Sequence, residues 1–173
     1  MRIYVIAATL LTATAASAVH GQTPEWQFYQ DAKATNGLLI AFVQSADGTQ
    51  LMLKCDKPGK RSVYAVLVAK ERLARPRARF TMRPISLRYD GGEVNDDRWR
   101  YFENMATAVN RPGEASLTRL VEKLADAKQL EVQLHPEDKV VPDYISFDVH
   151  DARDAVAQVY KSCKDKNPLE DSG

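Results

Sequence analysis

The first eighteen residues constrain this chain more than any other segment. Arg2 gives a short basic start, and Ile3 to Ala16 is apolar or small, with no charge and no proline. Ala16-Ser17-Ala18 then supplies the small-x-small pattern that a signal peptidase cuts, so residues 1–18 are predicted to be a secretory leader. The run is short and rich in Ala and Thr, whereas a membrane-spanning helix needs about 20 strongly apolar residues. No Cys follows it, which argues against lipoprotein processing, and no other stretch is apolar enough to span a bilayer. The mature chain is expected to start near Val19, with His20 and Gln22 as other starts, and to work in the periplasm or outside the cell. The leader takes the one long apolar run out of the folding problem. Residues 19–173 are left to form a single domain of ordinary size.

Export also changes what the remaining composition means. The chain has 24 Lys and Arg against 23 Asp and Glu. Arg2 belongs to the leader, so the mature part is formally neutral and has no general affinity for nucleic acid. Its two cysteines are Cys55 and Cys163. An oxidising compartment and an even count predict a disulfide between them, with two buried free thiols as the other reading. Closing so long a loop restricts the unfolded chain by about 4–5 kcal/mol on the chain-entropy account.

Pattern reading gives several strands, a helix, two strands and a helix. Trp26, Phe28 and Tyr29 precede an Asn36-Gly37 turn. Leu38–Ser45 and Gln50–Cys55 read as a hairpin on a two-residue Asp47-Gly48 turn, which would pair Phe42 with Leu53 and Ile40 with Cys55. Lys57-Pro58-Gly59-Lys60 reads as the next turn, and Ser62–Ala69 as a central strand. Pro76 and Pro84 are expected to break the chain until a strand at Ile85–Asp90, followed by a polar loop over Glu93–Asp97. Trp99–Val109 supplies one or two short strands, and Leu117, Leu120, Val121 and Leu124 have helical spacing. Leu130–Leu134 and Tyr144–Val149 alternate as strands on either side of a Pro136–Lys139 turn. Asp151 and Asp154 have the spacing of a helix cap and its third residue. Ala152, Val156, Val159, Tyr160 and Cys163 make one apolar stripe, and Lys164–Gly173 reads as a frayed polar tail. The predicted fold is α+β: a mostly antiparallel sheet or sandwich with two helices, the C-terminal one stapled to the sheet by the disulfide.

No catalytic pattern stands out. The three histidines lack the spacing of a zinc site, and Asp90, Glu93, Asp96 and Asp97 lack the ligand order of a calcium loop. Neither G-x-S-x-G nor S-x-x-K occurs. Asp148-Val149-His150-Asp151 reads as a strand end running into a capped helix. No enzyme activity, metal or cofactor is expected. The strongest candidate surface is the basic stretch from Lys70 to Arg83, with Arg75, Arg77, Arg79 and Arg83, and Arg88 beyond it. Arginine clusters recognise carboxylates and phosphates, although alternating Arg also protects a sheet edge without any ligand.

The order of landmarks resembles a known family. They are Trp26, Leu51-x-Leu53-x-Cys55, Ser62–Val68, Leu87-Arg88-Tyr89-Asp90, Trp99, Leu120–Leu124, Ala127–Val132, Phe147-Asp148-Val149 and Cys163. This layout is similar to that of the TagO/VasI-like small exported proteins associated with type VI secretion. His150-Asp151 stands where that family usually has Gly, and the basic stretch is longer here. The resemblance implies a non-enzymatic periplasmic accessory protein that binds an envelope protein or cell-wall component. Arg88, Asp90 and Trp99 fall on the family landmarks, and a local Arg88–Asp90 ion pair beside a core Trp99 is the plain structural expectation. The other functional reading is an inhibitor or immunity-like protein that inserts Asp90–Asp97 into an envelope hydrolase such as a lysozyme.

Overall fold

A computed structural model describes residues 25–30, 39–55, 63–76, 79–138 and 143–170. The leader, the Asn36-Gly37 and Lys57–Lys60 turns, and Arg77 lie outside the described residues. The strands are β1 (Gln27–Gln30), β2 (Leu39–Gln44), β3 (Gln50–Cys55), β4 (Val63–Val68), β5 (Thr81–Tyr89), β6 (Val94–Phe102) and β7 (Met105–Ala108). A small β8–β9 hairpin (Asn110–Arg111, Glu114–Ala115) leads into helix α1 (Ser116–Leu124). Then come β10 (Gln129–Leu134), β11 (Ile145–Asp148) and helix α2 (Ala152–Cys163), with a short 3-10 turn at Pro168–Glu170.

Nine strands form one antiparallel sheet in the order β1-β2-β3-β4-β7-β6-β5-β10-β11. It is a single sheet rather than a sandwich. Six strands separate β2 from β11 in that order, yet the two touch, so the sheet curls until its ends approach. Trp26 closes the gap: it is buried, and its indole Nε1 donates to the Val149 carbonyl at 3.5 Å. Both helices fill the concave face, α2 against β2, β3 and β4, and α1 against β6 and β7. The apolar stripe of α2 is buried from Ala152 through Val156 and Val159 to Cys163. Burying side chains such as Val156 or Leu120 contributes about 1.5–3 kcal/mol each.

Cys55 ends β3 on the inward face and Cys163 ends α2; the two form a disulfide with Cα atoms 5.7 Å apart. The staple joins the C-terminal helix to the sheet, as the sequence predicts. Lys164–Glu170, expected to fray, runs back along the body: Asn167 is buried and Leu169 packs on the core.

The first hairpin departs from its predicted register. Its pairs are Phe42 with Met52, Ile40 with Lys54 and Ala41 with Leu53. The loop has three residues, Ala46-Asp47-Gly48, with Gly48 N donating to Ser45 O at 2.9 Å and Gly48 at φ +86°. This is a type I turn followed by a left-handed residue, which glycine adopts without strain. The Asp47 carboxylate fixes the longer loop by accepting from Ser45 Oγ, from Thr49 N at 3.0 Å and from Thr49 Oγ1 at 3.0 Å. A one-residue slip reverses a strand's faces. Ala41 and Val43 therefore point inward with Leu51, Leu53 and Cys55, while Ile40 and Phe42 are only half-buried.

Two breaks predicted in the middle of the chain are absent. β5 runs straight through Pro84, because its neighbour β10 ends at the Leu134–Ile85 pair and requires no N–H one residue earlier. Val94–Asp97 is strand rather than loop. Asn95 and Asp97 tolerate the helix-bearing face because α1 offers polar groups there: Lys123 Nζ donates to Asn95 Oδ1 at 2.5 Å and Arg119 to Asp97 Oδ1 at 2.6 Å. At α2, Asp151 holds the cap position at φ +61° but makes no capping hydrogen bond. Replacing both cysteines by serine is expected to lower unfolding free energy by about 4–5 kcal/mol, read from urea unfolding with and without reductant. Reductant should then leave the double variant unchanged.

Candidate functional site

Among the described residues, the predicted arginines do not all lie on one surface. Arg75 is exposed and donates to Asp138 Oδ1 at 2.8 Å. Arg79 is exposed. Arg83 and Arg88 lie an odd number of residues apart on β5 and so point to opposite faces of the sheet. Arg83 donates to the carbonyls of His135 at 2.7 Å and Pro136 at 2.9 Å. Arg88 forms a two-pronged pair with Glu131, Nε to Oε2 at 2.7 Å and NH2 to Oε1 at 2.9 Å, and stacks over the Tyr144 ring at 4.6 Å. The hydrogen bonds from Arg88 hold the Glu131 carboxyl below its ordinary value. The expected Arg88–Asp90 ion pair is absent: Asp90 Oδ1 accepts from the Lys128 and Gln129 backbone at 2.9 and 2.8 Å. Arg75, Arg83 and Arg88 each face a carbonyl or carboxylate of another segment and so brace the sheet. Trp99 is fully buried in the core.

The same stretch matters in another way. Leu73 and Ala74 are buried, and their N–H groups donate to Glu103 O at 2.6 and 2.8 Å. Leu73 O accepts from Glu137 N at 2.9 Å, which ties the segment to the end of β10. Residues 69–73 thereby become one wall of a cavity of about 780 Å³ at the mouth of the curled sheet. Its floor is apolar, with Ala69, Leu73, Leu134, Pro136 and Ile145. Its rim carries Asp47, Lys70, Glu71, Asp143 and Tyr144. Burial pushes the Asp47 carboxyl up, but the hydrogen bonds from Ser45 and Thr49, with Lys70 nearby, outweigh it and hold the group below the usual carboxylate value. Such a cavity can bind an apolar group and orient it through a few polar contacts. Its residues come from the β2–β3 loop, the segment after β4, and the chain between β10 and β11, so no local motif marks them.

A second cluster brings together residues that no local pattern connects. Ser86 of β5 donates to Asp96 Oδ1 of β6 at 2.7 Å and lies 3.3 Å from His135 Nε2, beyond β10. The three line a depression of about 390 Å³ on the convex face. The serine proton is directed at Asp96, so the imidazole nitrogen donates. A nucleophilic serine needs the reverse, with the imidazole accepting its proton. The loop proposed to enter a hydrolase is equally constrained. Only Asp90–Glu93 lies between β5 and β6, and Asp90 is tied to the chain before β10.

Asp148 and His150 form a pair of their own at the joint between β11 and α2, with His150 Nδ1 2.5 Å from Asp148 Oδ1. The Asp148 hydrogen bond and charge raise the His150 pKa against the opposing effect of burial, and the charges of Asp151 and Glu25 add to the rise. A raised folded-state value means that the pair stabilises fully below the unfolded value of 6.5 and loses its contribution as pH rises through the folded one. Thermal unfolding across that range should show a pH-dependent step in the native protein that His150→Gln removes. A step that survives the substitution would assign it to another group.

Residues 24–156 match the family model described as YfjT. No curated protein and no solved structure matches the chain. The matched stretch takes in every strand, α1 and the first turn of α2, and so carries both walls of the mouth cavity. The chain belongs to the YfjT family.

Proposed function

We propose that this protein is an exported, non-enzymatic binding or accessory protein of the cell envelope, which holds an envelope protein or cell-wall component at the mouth of its curled sheet. The observation that carries this reading is the mouth cavity, with its apolar floor and polar rim built from several rigid segments. The leader expected over residues 1–18 and the Cys55–Cys163 disulfide both suit an oxidising compartment. Among the described residues no helix is long and apolar enough to cross a membrane. The resemblance to TagO/VasI-like proteins adds type VI secretion as the setting. The inhibitor reading has less support, because Asp90–Glu93 is short and its first residue is anchored.

Ala46 is exposed on the cavity rim, and Arg79 lies on the exposed basic stretch. A photo-crosslinking amino acid at Ala46 is expected to give a discrete adduct in intact cells, and the same label at Arg79 none. Adducts from Arg79 alone would overturn the assignment of the mouth as the contact. Protein recovered from the periplasm should begin near Val19 and gain two hydrogens in mass on reduction. A cytoplasmic, full-length product would end the exported reading.

A further inference from the structure

The nine-stranded sheet ends on β11, which pairs with β10 on one side and, among the described residues, with no strand on the other. The pairing fixes which of its backbone groups face outward. Asp90 N donates to Gln129 O at 3.0 Å, and Val149 N donates to Lys128 O at 2.8 Å. Gln129 therefore turns its backbone toward β5, and Gln129–Asp148 is a non-hydrogen-bonded pair of the β10–β11 ladder. Antiparallel ladders alternate, so Glu131–Ser146 is a non-hydrogen-bonded pair as well. The N–H and C=O of Ser146 thus point to the free edge. Ser146 is exposed and stands on the wall of the mouth cavity beside Ile145. Across the mouth, β1 pairs with β2 only as far as Phe42, and before β1 the Trp26 indole turns to Val149. The open edge of β11 therefore borders the mouth, where the two ends of the sheet approach without pairing.

We propose that the mouth takes an extended, basic segment of a protein partner as an added strand, paired with β11 at Ser146 and with one side chain on the apolar floor. This rests on the reading of the mouth as the binding site and names the form of its partner. An N–H and a C=O side by side at strand spacing are matched by another extended backbone, a pattern that a sugar or a lipid headgroup lacks. Side chains alternate along a strand, and Ile145, next to Ser146, packs against the core and lines the cavity. A strand laid beside it places every second side chain on the same floor, over Leu73 and Leu134. The charge of the lining selects among peptides. Asp47, Glu71 and Asp143 stand there against the single cation Lys70, so a segment carrying Lys or Arg is favoured over an acidic one.

The test uses the oxidised mature protein and the probe acetyl-Lys-Val-Lys-Val-Lys-Val-amide. Titration followed by NMR is expected to show saturable binding, with amide exchange at Ser146 slowed at least tenfold at saturation. The same peptide N-methylated at every residue keeps its side chains and charge but has no amide donor, and should not bind. Ser146→Pro should weaken binding about five- to tenfold, the worth of a lost hydrogen bond. Proline is tolerated there because that N–H serves no bond to β10. A probe with Glu in place of Lys should bind about threefold or more weakly. Equal binding of the methylated peptide, unchanged exchange at Ser146, or equal binding of the Glu peptide would each overturn the proposal and leave the mouth a binding site. Failure of the Lys probe to bind would overturn strand addition alone, because the mouth reading stands or falls on the Ala46 adduct in cells.

Discussion

The burial of α2 in the curl of the single sheet is the contact on which the rest of the structure depends. The inward faces of β2, β3 and β4 would otherwise leave a wide apolar trough in water, and α2 covers it with Ala152, Ala155, Val156, Val159 and Cys163. The disulfide holds this packing at the far end of the helix, where fraying would begin. Trp26 holds the near end by donating to Val149, just before α2 starts. Because the helix is gripped at both ends, the sheet stays curled, and the curl brings the β2–β3 loop opposite β11 to form the mouth.

The arginines illustrate how context sets the role of a charge. A long guanidinium side chain can reach a carbonyl or carboxylate on a neighbouring strand and satisfy it with several donors. Arg83 and Arg88 do this from opposite faces of one strand, and Arg75 does so between two loops. Their effect is to hold the segment after β4 and the chain after β10 in place. Leu73 and Ala74, just before Arg75, are buried in the core, and Leu73 shapes the cavity wall. Arg75, Arg83 and Arg88 of the stretch that reads as a binding surface thus also act as braces around the cavity.

Much of the fold was legible because each element carried its own periodic signal. The α2 stripe, the alternation of Leu130, Val132 and Leu134, and the inward Leu51, Leu53 and Cys55 all appear where their patterns place them. The errors arose where a neighbour overrode local preference. Asp47 used its carboxylate to stabilise a three-residue turn instead of the expected two-residue one, and β2 turned over as a result. Pro84 was tolerated because the adjacent strand had ended, and Asn95 and Asp97 because α1 presented polar partners. The mouth cavity and the Ser86–Asp96–His135 cluster were not legible, since their residues meet only when distant strands pair.

By itself the sequence determined the class of fold and the pairing of Cys55 with Cys163. Composition, periodicity and cysteine count are properties of the chain that need no partner to be read. Tertiary structure alone decided the hairpin register, the curl of the nine-stranded sheet, the partners of Arg75, Arg83 and Arg88, and the position of the cavities. Each of these depends on which groups meet across strands far apart in sequence. Hydrogen bonding and burial select those meetings collectively, so no single segment contains them.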